Sequence, residues 1–258
     1  MGKVDLPTFL KQKLEAMEGD VVEVYPAFYE QSAQYQEIAG ILRSISIDGE
    51  DAGMITSYIS ETKGPGNEGV CLWDLDKVAG LSDEQLDCIS TPIDYSSIHF
   101  ETETYRSGKK HIKKTRYKDN PFAKIVGRHD GAHFYTIGQR KGLNIGGHSD
   151  SIFVISTDIE NNIIYVGQGH RHPGLSRSCL RIPLEDLHWI RPDLELKSGE
   201  MCRMRVRIRY RQPLQNATLL MRKSALYILF DSPQRGITPG QFAVWYADDD
   251  EMIGSGVI

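Results

Sequence analysis

The chain is 258 residues long, with 30 Lys and Arg against 35 Asp and Glu and a formal charge of −5; 40% of its residues are hydrophobic and 25% charged. Those fractions exclude wholesale disorder, and no apolar run approaches the roughly 18–20 residues that cross a bilayer as a helix. Four cysteines (Cys71, Cys88, Cys179, Cys202) without CxxC or metal-ligand spacing are too few for a disulfide scaffold and fit a reducing cytoplasm.

In chain order, MGKVDLPTFLKQKLEAMEGD (1–20) carries charge every few residues and does not read as a signal peptide. Within it, Phe9, Leu10, Leu14 and Met17 predict a short helix over 7–17, begun near Pro7 and closed by Gly19. VVEVY (21–25) reads as a strand. ILRSISI (41–47) and GMITSYIS (53–60) flank the turn-like DGED and predict a hairpin. LSDEQLDCI (81–89) predicts a short helix, and residues 97–118 alternate around SGKK as a basic hairpin. AHFYTIG (132–138) is strand-like and runs into GQRKGLNIGG, while 151–169 predicts two strands joined across Asp158–Asn162. LHWI (187–190) followed by Pro192 suggests a domain junction. Strands over 201–210, 217–222, 225–230, 242–247 and 252–258, at short spacing, then predict a small closed β-barrel.

The charge is not spread evenly. Residues 104–118 hold Arg106, Lys109, Lys110, Lys113, Lys114, Arg116 and Lys118 without an acid. Residues 201–230 hold Arg203, Arg205, Arg207, Arg209, Arg211, Arg222 and Lys223, again without an acid. An acidic body with two basic stretches is what local contact with a polyanion requires, although a solvated face has the same composition. In MCRMRVRIRYRQ (201–212) the period of two places five arginines on one strand face and Cys202, Met204, Val206, Ile208 and Tyr210 on the other. Like charges along one face repel, so a compensating partner is needed. Asp248, Asp249, Asp250 and Glu251 can supply it, and so can a bound phosphate backbone, whose oxygens match the arginine fork.

Catalytic chemistry is not visible. GPGNEG (64–69) matches GxGxxG by letter but lacks the strand that leads into a dinucleotide site, and no GxxxxGK[ST] is present. His170 and His172 in GHRH (169–172) lack further ligands at metal spacing and read as polar loop residues; Cys202 reads as core. GQRKG (138–142) is more suggestive, since two glycines bracket Gln139, Arg140 and Lys141 on a tight loop suited to phosphate or sugar contacts, or simply to solvent.

HFYTIGQRKGLNIGG (133–147), IIYVGQG (163–169), LHWI (187–190), RIRYRQP (207–213), ITPGQFAVWY (237–246) and the closing GSGVI (254–258) together closely resemble the tRNA-specific 2-thiouridylase family. FLKQKL and GDVVEV within 9–24 resemble the family's segment just after its catalytic-cysteine motif. The resemblance implies a mainly β, β-rich α+β architecture: an enlarged central β-domain over 1–190, with a long insert at about 27–122, then a C-terminal tRNA-binding β-barrel over 191–258. It implies a transferase that thiolates C2 of the wobble uridine using ATP and persulfide sulfur. The family's SGGxDS pyrophosphate loop and its two catalytic cysteines have no counterpart in this sequence, so the resemblance implies no catalytic residue and no cofactor within it. The family's nucleotide-binding domain would bind ATP, as a separately encoded part or one lost by truncation, with a sulfur-relay donor as a further partner. No membrane partner is implied, and no metal. tRNA contact is implied for Arg209, Tyr210, Arg211, Gln212 and Gln241, with Gln139, Arg140 and Lys141 as weaker candidates. Tyr210 remains open between the apolar face and base stacking. The competing reading is a non-catalytic RNA-binding or interaction module built on the same β-domains.

Overall fold

The computed structural model describes residues 18–26, 32–47, 49, 73–95, 100–106, 109–115 and 123–258. The expected helix over 7–17 and strand over 53–60 lie outside these residues. Two compact units divide the chain, one of Met1–Tyr29 with Asp94–Leu175 and one of Glu30–Ile93 with Ser176–Ile258. The structure is mostly strand, as expected, and no helix among the described residues is long and apolar enough to cross a membrane.

The first unit is built on β1 (Gly19–Val24), β4 (Ala123–His129), β5 (Ile152–Asp158) and β6 (Ile163–Gln168), in the order β4-β1-β6-β5. β1 lies centrally, antiparallel to β4 and parallel to β6, and every one of its residues is buried. Val21, Ile152, Val154, Ile164 and Val166 form the core with Ala132 and Leu143. Between β1 and β4, β2 (Phe100–Arg106) and β3 (Lys109–Thr115) pair as the two-stranded hairpin that alternation around SGKK predicts. AHFYTIG is not a strand. Gly131, at φ 142°, breaks β4's course, and Phe134 and Tyr135 donate back to Gly131 and Ala132 in a 3-10 turn over Ala132–Phe134. Local bonds thus take the donors a ladder would need.

The second unit is a seven-stranded curved sheet. Its strands are β7 (Ser176–Pro183), β8 (Leu187–Trp189), β9 (Met201–Arg207), β10 (Gln215–Met221), β11 (Ala225–Arg235), β12 (Phe242–Tyr246) and β13 (Met252–Val257). They run in the order β7-β11-β10-β9-β12-β13-β8, and the sheet curls until β13 approaches β7: a Cβ on Gly256 would lie 2.6 Å from Ile182 Cγ2. The result is a half-barrel rather than a fully closed one. Inside are Leu180, Val206, Leu219, Ile228, Phe230 and Trp245, all at most 1% exposed.

The outer side is covered by helices: α1 (Ala33–Ile45), α2 (Leu75–Ala79) and α3 (Asp83–Ser90). Ile38, Ile41, Leu42, Ile45, Trp73 and Leu86 pack on Cys179, Leu220, Tyr227 and Leu229, so the apolar run of β11 is buried on both faces. Trp73 Nε1 donates to Phe230 O at 2.8 Å and Tyr227 OH to Asp87 Oδ1 at 2.6 Å. The strand expected over 41–47 is therefore the end of α1. Its apolar residues belong to a spacing that starts at Ile38 and runs 38, 41, 42, 45, behind an N-cap at Ser32. The helix expected over 81–89 is α3, with a capping box between Ser82 and Gln85.

These contacts also redraw the domain boundary. An insert lodged wholly in a first domain ending at 190 is not what the contacts give. β7 pairs with β11 and β8 with β13, so the second unit begins at Ser176; the helical part of the insert packs with it, and the hairpin falls in the first unit.

Candidate nucleic-acid interface

β9 keeps the expected alternation only as far as Arg207. Val206 and the following Ile208 are buried at 0% and 2% exposure, while Arg203, Arg205 and Arg207 lie on the other face. All three are neutralised or bound within the unit. Arg203 places its fork on both Asp231 oxygens at 2.6 Å. Arg205 donates to Ala247 O and Asp248 O at 2.7 and 2.6 Å and pairs with Asp250 at 2.9 Å. Arg207 lies 4.7 Å over the Tyr246 ring, donates to its hydroxyl at 2.7 Å and reaches Tyr210 O at 3.3 Å. The acidic run Asp248–Glu251 thus accounts for Arg205, while Arg203 uses Asp231 instead.

The ladder stops because β10 begins at Gln215, behind Pro213, which has no N–H to give. Residues 208–212 form a turn closed by Gln212: its N–H donates to Arg209 O at 3.0 Å, and its Oε1 accepts from Ile208 N at 3.1 Å. Arg209, Tyr210, Arg211 and Gln212 are therefore turn residues, and the five-arginine face divides into three on the strand and two beyond it. Tyr210 is 89% exposed, which removes it from the apolar face. Arg211 is exposed and makes no hydrogen bond or ion pair among the described residues. Arg209 donates to Gly236 O at 2.8 Å, tying the turn to the loop 236–241 that carries Gln241. Gln212 Nε2 donates to Gln234 Oε1 at 2.5 Å. Gln241 is held by its backbone, with Ile258 N donating to its carbonyl at 2.8 Å, while its buried side-chain Oε1 has no partner.

Two further residues join this end of the sheet. Arg235 is lowered from its ordinary pKa by burial and then by the Arg209 charge, so two cations are held close together. Phe242, following Gln241, is 60% exposed. Nothing in their spacing marks either one, since each closes or opens a strand whose neighbours are core.

GQRKG lies in the first unit. Gly138 N donates to Val154 O at 2.7 Å and Val154 N to Gln139 O at 2.9 Å, strapping the loop to β5. Gln139 spends its side-chain amide inside the loop, accepting from Thr136 N at 3.1 Å and donating to Lys141 O at 2.9 Å. Gln139 is therefore a loop brace, and Arg140 and Lys141 are the exposed groups. Arg140 also lines a polar cleft of about 460 Å³ with Asn144 and His148.

The remaining titratable groups are structural. His172 is buried rather than a polar loop residue; its Nε2 donates to Val24 O at 2.9 Å, Gly174 N donates to its Nδ1, and burial lowers its pKa. His170 packs edge-on against Phe153. Burial raises the thiols of Cys88, Cys179 and Cys202, the opposite of what activates a nucleophile. Among the described residues no His, Cys, Asp and Glu group could hold a metal ion.

Comparison with known families also finds barrel domains in this chain. Residues 179–258 match the aminomethyltransferase beta-barrel domain and residues 109–168 the tRNA methyl transferase PRC-barrel domain. The tRNA-specific 2-thiouridylase MnmA of Flavobacterium johnsoniae is 36% identical over 258 residues, all of this chain and 49% of the relative. That of Christiangramia forsetii is 38% identical over the same extent, and that of Karelsulcia muelleri 45% identical over 155 residues, 60% of this chain and 39% of the relative. The chain belongs to the tRNA-specific 2-thiouridylase family and covers its central and C-terminal domains. It spans about half the length of the curated relatives it matches. Helices α1 to α3 fall outside both matched domains, yet the relatives aligned over the full chain span them.

Proposed function

We propose that this chain provides the tRNA-gripping part of a tRNA 2-thiouridylase acting in the cytoplasm, in which the C2 oxygen of the wobble uridine is replaced by sulfur. In the family ATP activates C2 and a cysteine persulfide delivers sulfur. The residues described here do not fit ATP: there is no phosphate-binding loop of the GxxxxGK[ST] or SGGxDS type, and the described thiols are raised by burial. Nucleophile and nucleotide are therefore assigned to a catalytic nucleotide-binding domain, and this chain's residues to holding and orienting the RNA.

The observation that carries the reading is the turn 208–212. Its backbone is braced by Gln212 and by the Arg209–Gly236 bond, while Arg211 and Tyr210 remain presented to solvent. A rigid turn with an uncommitted guanidinium suits phosphate oxygens, and a rigid exposed ring suits an unstacked base. Gln241 stands on the loop that the Arg209–Gly236 bond ties to this turn and is assigned to the same RNA contact. Arg140 and Lys141 add exposed charge on the first unit.

Two measurements test this. Affinity of the chain for tRNA should fall steeply with salt, as counterion release demands; a salt-insensitive affinity contradicts it. Supplied with ATP and a persulfide donor, the chain alone should form no 2-thiouridine, and adding the family's nucleotide-binding domain should restore thiolation. Thiolation by the isolated chain overturns the division of labour.

A further inference from the structure

The pairing register sorts the hairpin β2–β3 by charge. The ladder runs without a shift from Phe100 opposite Thr115 to Arg106 opposite Lys109. Residues directly opposed in an antiparallel ladder share a face, and faces alternate along each strand. One face therefore holds positions Phe100, Thr102, Thr104 and Arg106 of β2 with Lys109, His111, Lys113 and Thr115 of β3. The other holds Glu101, Glu103 and Tyr105 with Lys110, Ile112 and Lys114.

Both glutamates fall on the second face. Glu101 is directly opposed to Lys114, and Glu103 is diagonal to both Lys110 and Lys114, so that face is balanced at two acids and two lysines. The first face carries Arg106, Lys109 and Lys113 and no acid, with Arg106 and Lys109 directly opposed. Like charges opposed across a ladder destabilise it. A sequence that needed only a solvated hairpin could distribute its two glutamates over both faces. This one keeps them together and leaves the other face self-repelling, a condition that a polyanion relieves.

We propose that the Arg106–Lys109–Lys113 face of this hairpin is a second RNA-contacting surface, directed at the sugar-phosphate backbone and blind to sequence. Charge complementarity favours RNA as the occupant: the register sets Thr102 opposite Lys113 and the Thr104 position between that pair and the Arg106–Lys109 pair, and both residue types are common donors to phosphate. The proposal rests on tRNA being the substrate, and it is independent of the turn 208–212, which belongs to the other unit.

The test compares two variants of the full chain with equal charge loss on the same strand: Lys109→Gln with Lys113→Gln, and Lys110→Gln with Lys114→Gln. Affinity for tRNA is read across a salt titration, with the wild type and with Lys109→Arg/Lys113→Arg. The first variant should bind roughly tenfold more weakly near 0.1 M salt, with a salt slope flatter by about 1.4–1.8, at roughly 0.7–0.9 for each phosphate contact. The second variant should stay within about twofold of wild type, and the arginine variant should retain binding. Equal weakening by both glutamine variants, or none by either, overturns the face assignment while leaving tRNA binding by the wild type standing. Failure of the wild type to bind tRNA overturns both this proposal and the functional reading. Loss of binding to phosphatidylserine-containing vesicles without loss of tRNA binding overturns it in favour of a membrane surface.

Discussion

Arginines 203, 205 and 207 and arginines 209 and 211 continue one sequence pattern and end in different chemistry. The first three lie on a strand whose neighbours supply Asp231, Asp250, two carbonyls and the Tyr246 hydroxyl. The last two lie past the ladder, where Arg209 is spent on fixing the turn and Arg211 is left to solvent. The alternation specifies which face a residue takes; what it meets there depends on strands remote in sequence. A charge row is thus evidence of a binding surface only where the fold fails to answer it.

The largest effect should come from removing the open guanidinium together with the one that braces its turn. Arg209→Ala with Arg211→Ala should flatten the salt slope of tRNA binding by about 0.7–0.9, for the one uncommitted guanidinium, and, with the turn no longer braced, lower affinity by roughly 30-fold near 0.1 M salt. Arg203→Ala with Arg205→Ala should change the slope far less, since both guanidiniums already have partners. If the two double variants flatten it equally, the division of the row is wrong.

Next in size is the closed half, probed through its acid. Asp231 is 7% exposed and holds Arg203 by two bonds. Asp231→Ala leaves a half-buried guanidinium without its carboxylate and should lower unfolding free energy by about 1–2 kcal/mol, a figure reduced because Arg203 is partly solvated. Denaturant titration reads the loss. tRNA affinity should not decline; a variant that binds less RNA at full stability would move Asp231 and Arg203 into the interface.

How much of this could be read from the chain follows from particular residues. Residues 201–208 specify β9 and its buried face without help, because period two is local. The exposure of Tyr210 was not legible: it continues the apolar phase, and only Pro213, by ending the ladder, turns it outward. Asp231 was missed as Arg203's partner because nothing local distinguishes it from Asp248 to Glu251. Residues 41–47 alone are too short to establish a helical spacing; α1 becomes legible only with Ile38, the residue that reveals a spacing of three and four. The domain boundary failed for a related reason. β8 reads as a terminus beside Pro192, and its pairing with Gly254–Gly256 joins segments more than sixty residues apart.

A smaller effect separates stacking from charge within the open half. Tyr210→Ala should weaken tRNA binding by about 1 kcal/mol, near fivefold, at the low end for a base on an aromatic ring. Tyr210→Phe should bind as the wild type does, and at 89% exposure neither change should move stability by more than about 0.5 kcal/mol. A loss shared by the phenylalanine variant would assign the contact to the hydroxyl and make Tyr210 a hydrogen-bonding residue.

The smallest effect lies at Arg207, which stands at the boundary between the halves. Its fork bonds the Tyr246 hydroxyl and the carbonyl of Tyr210, and its plane lies over the Tyr246 ring. Arg207→Lys keeps the charge and loses the planar fork, so stability should drop by roughly 0.5–1 kcal/mol. Because Arg207 Nη1 bonds Tyr210 O at 3.3 Å, the same change also loosens the turn that presents Tyr210. Affinity for tRNA should therefore fall slightly while the salt slope stays where it is, the signature of a residue that positions the contact without making it. A flatter slope in Arg207→Lys would mean that the open half of the row begins one arginine earlier.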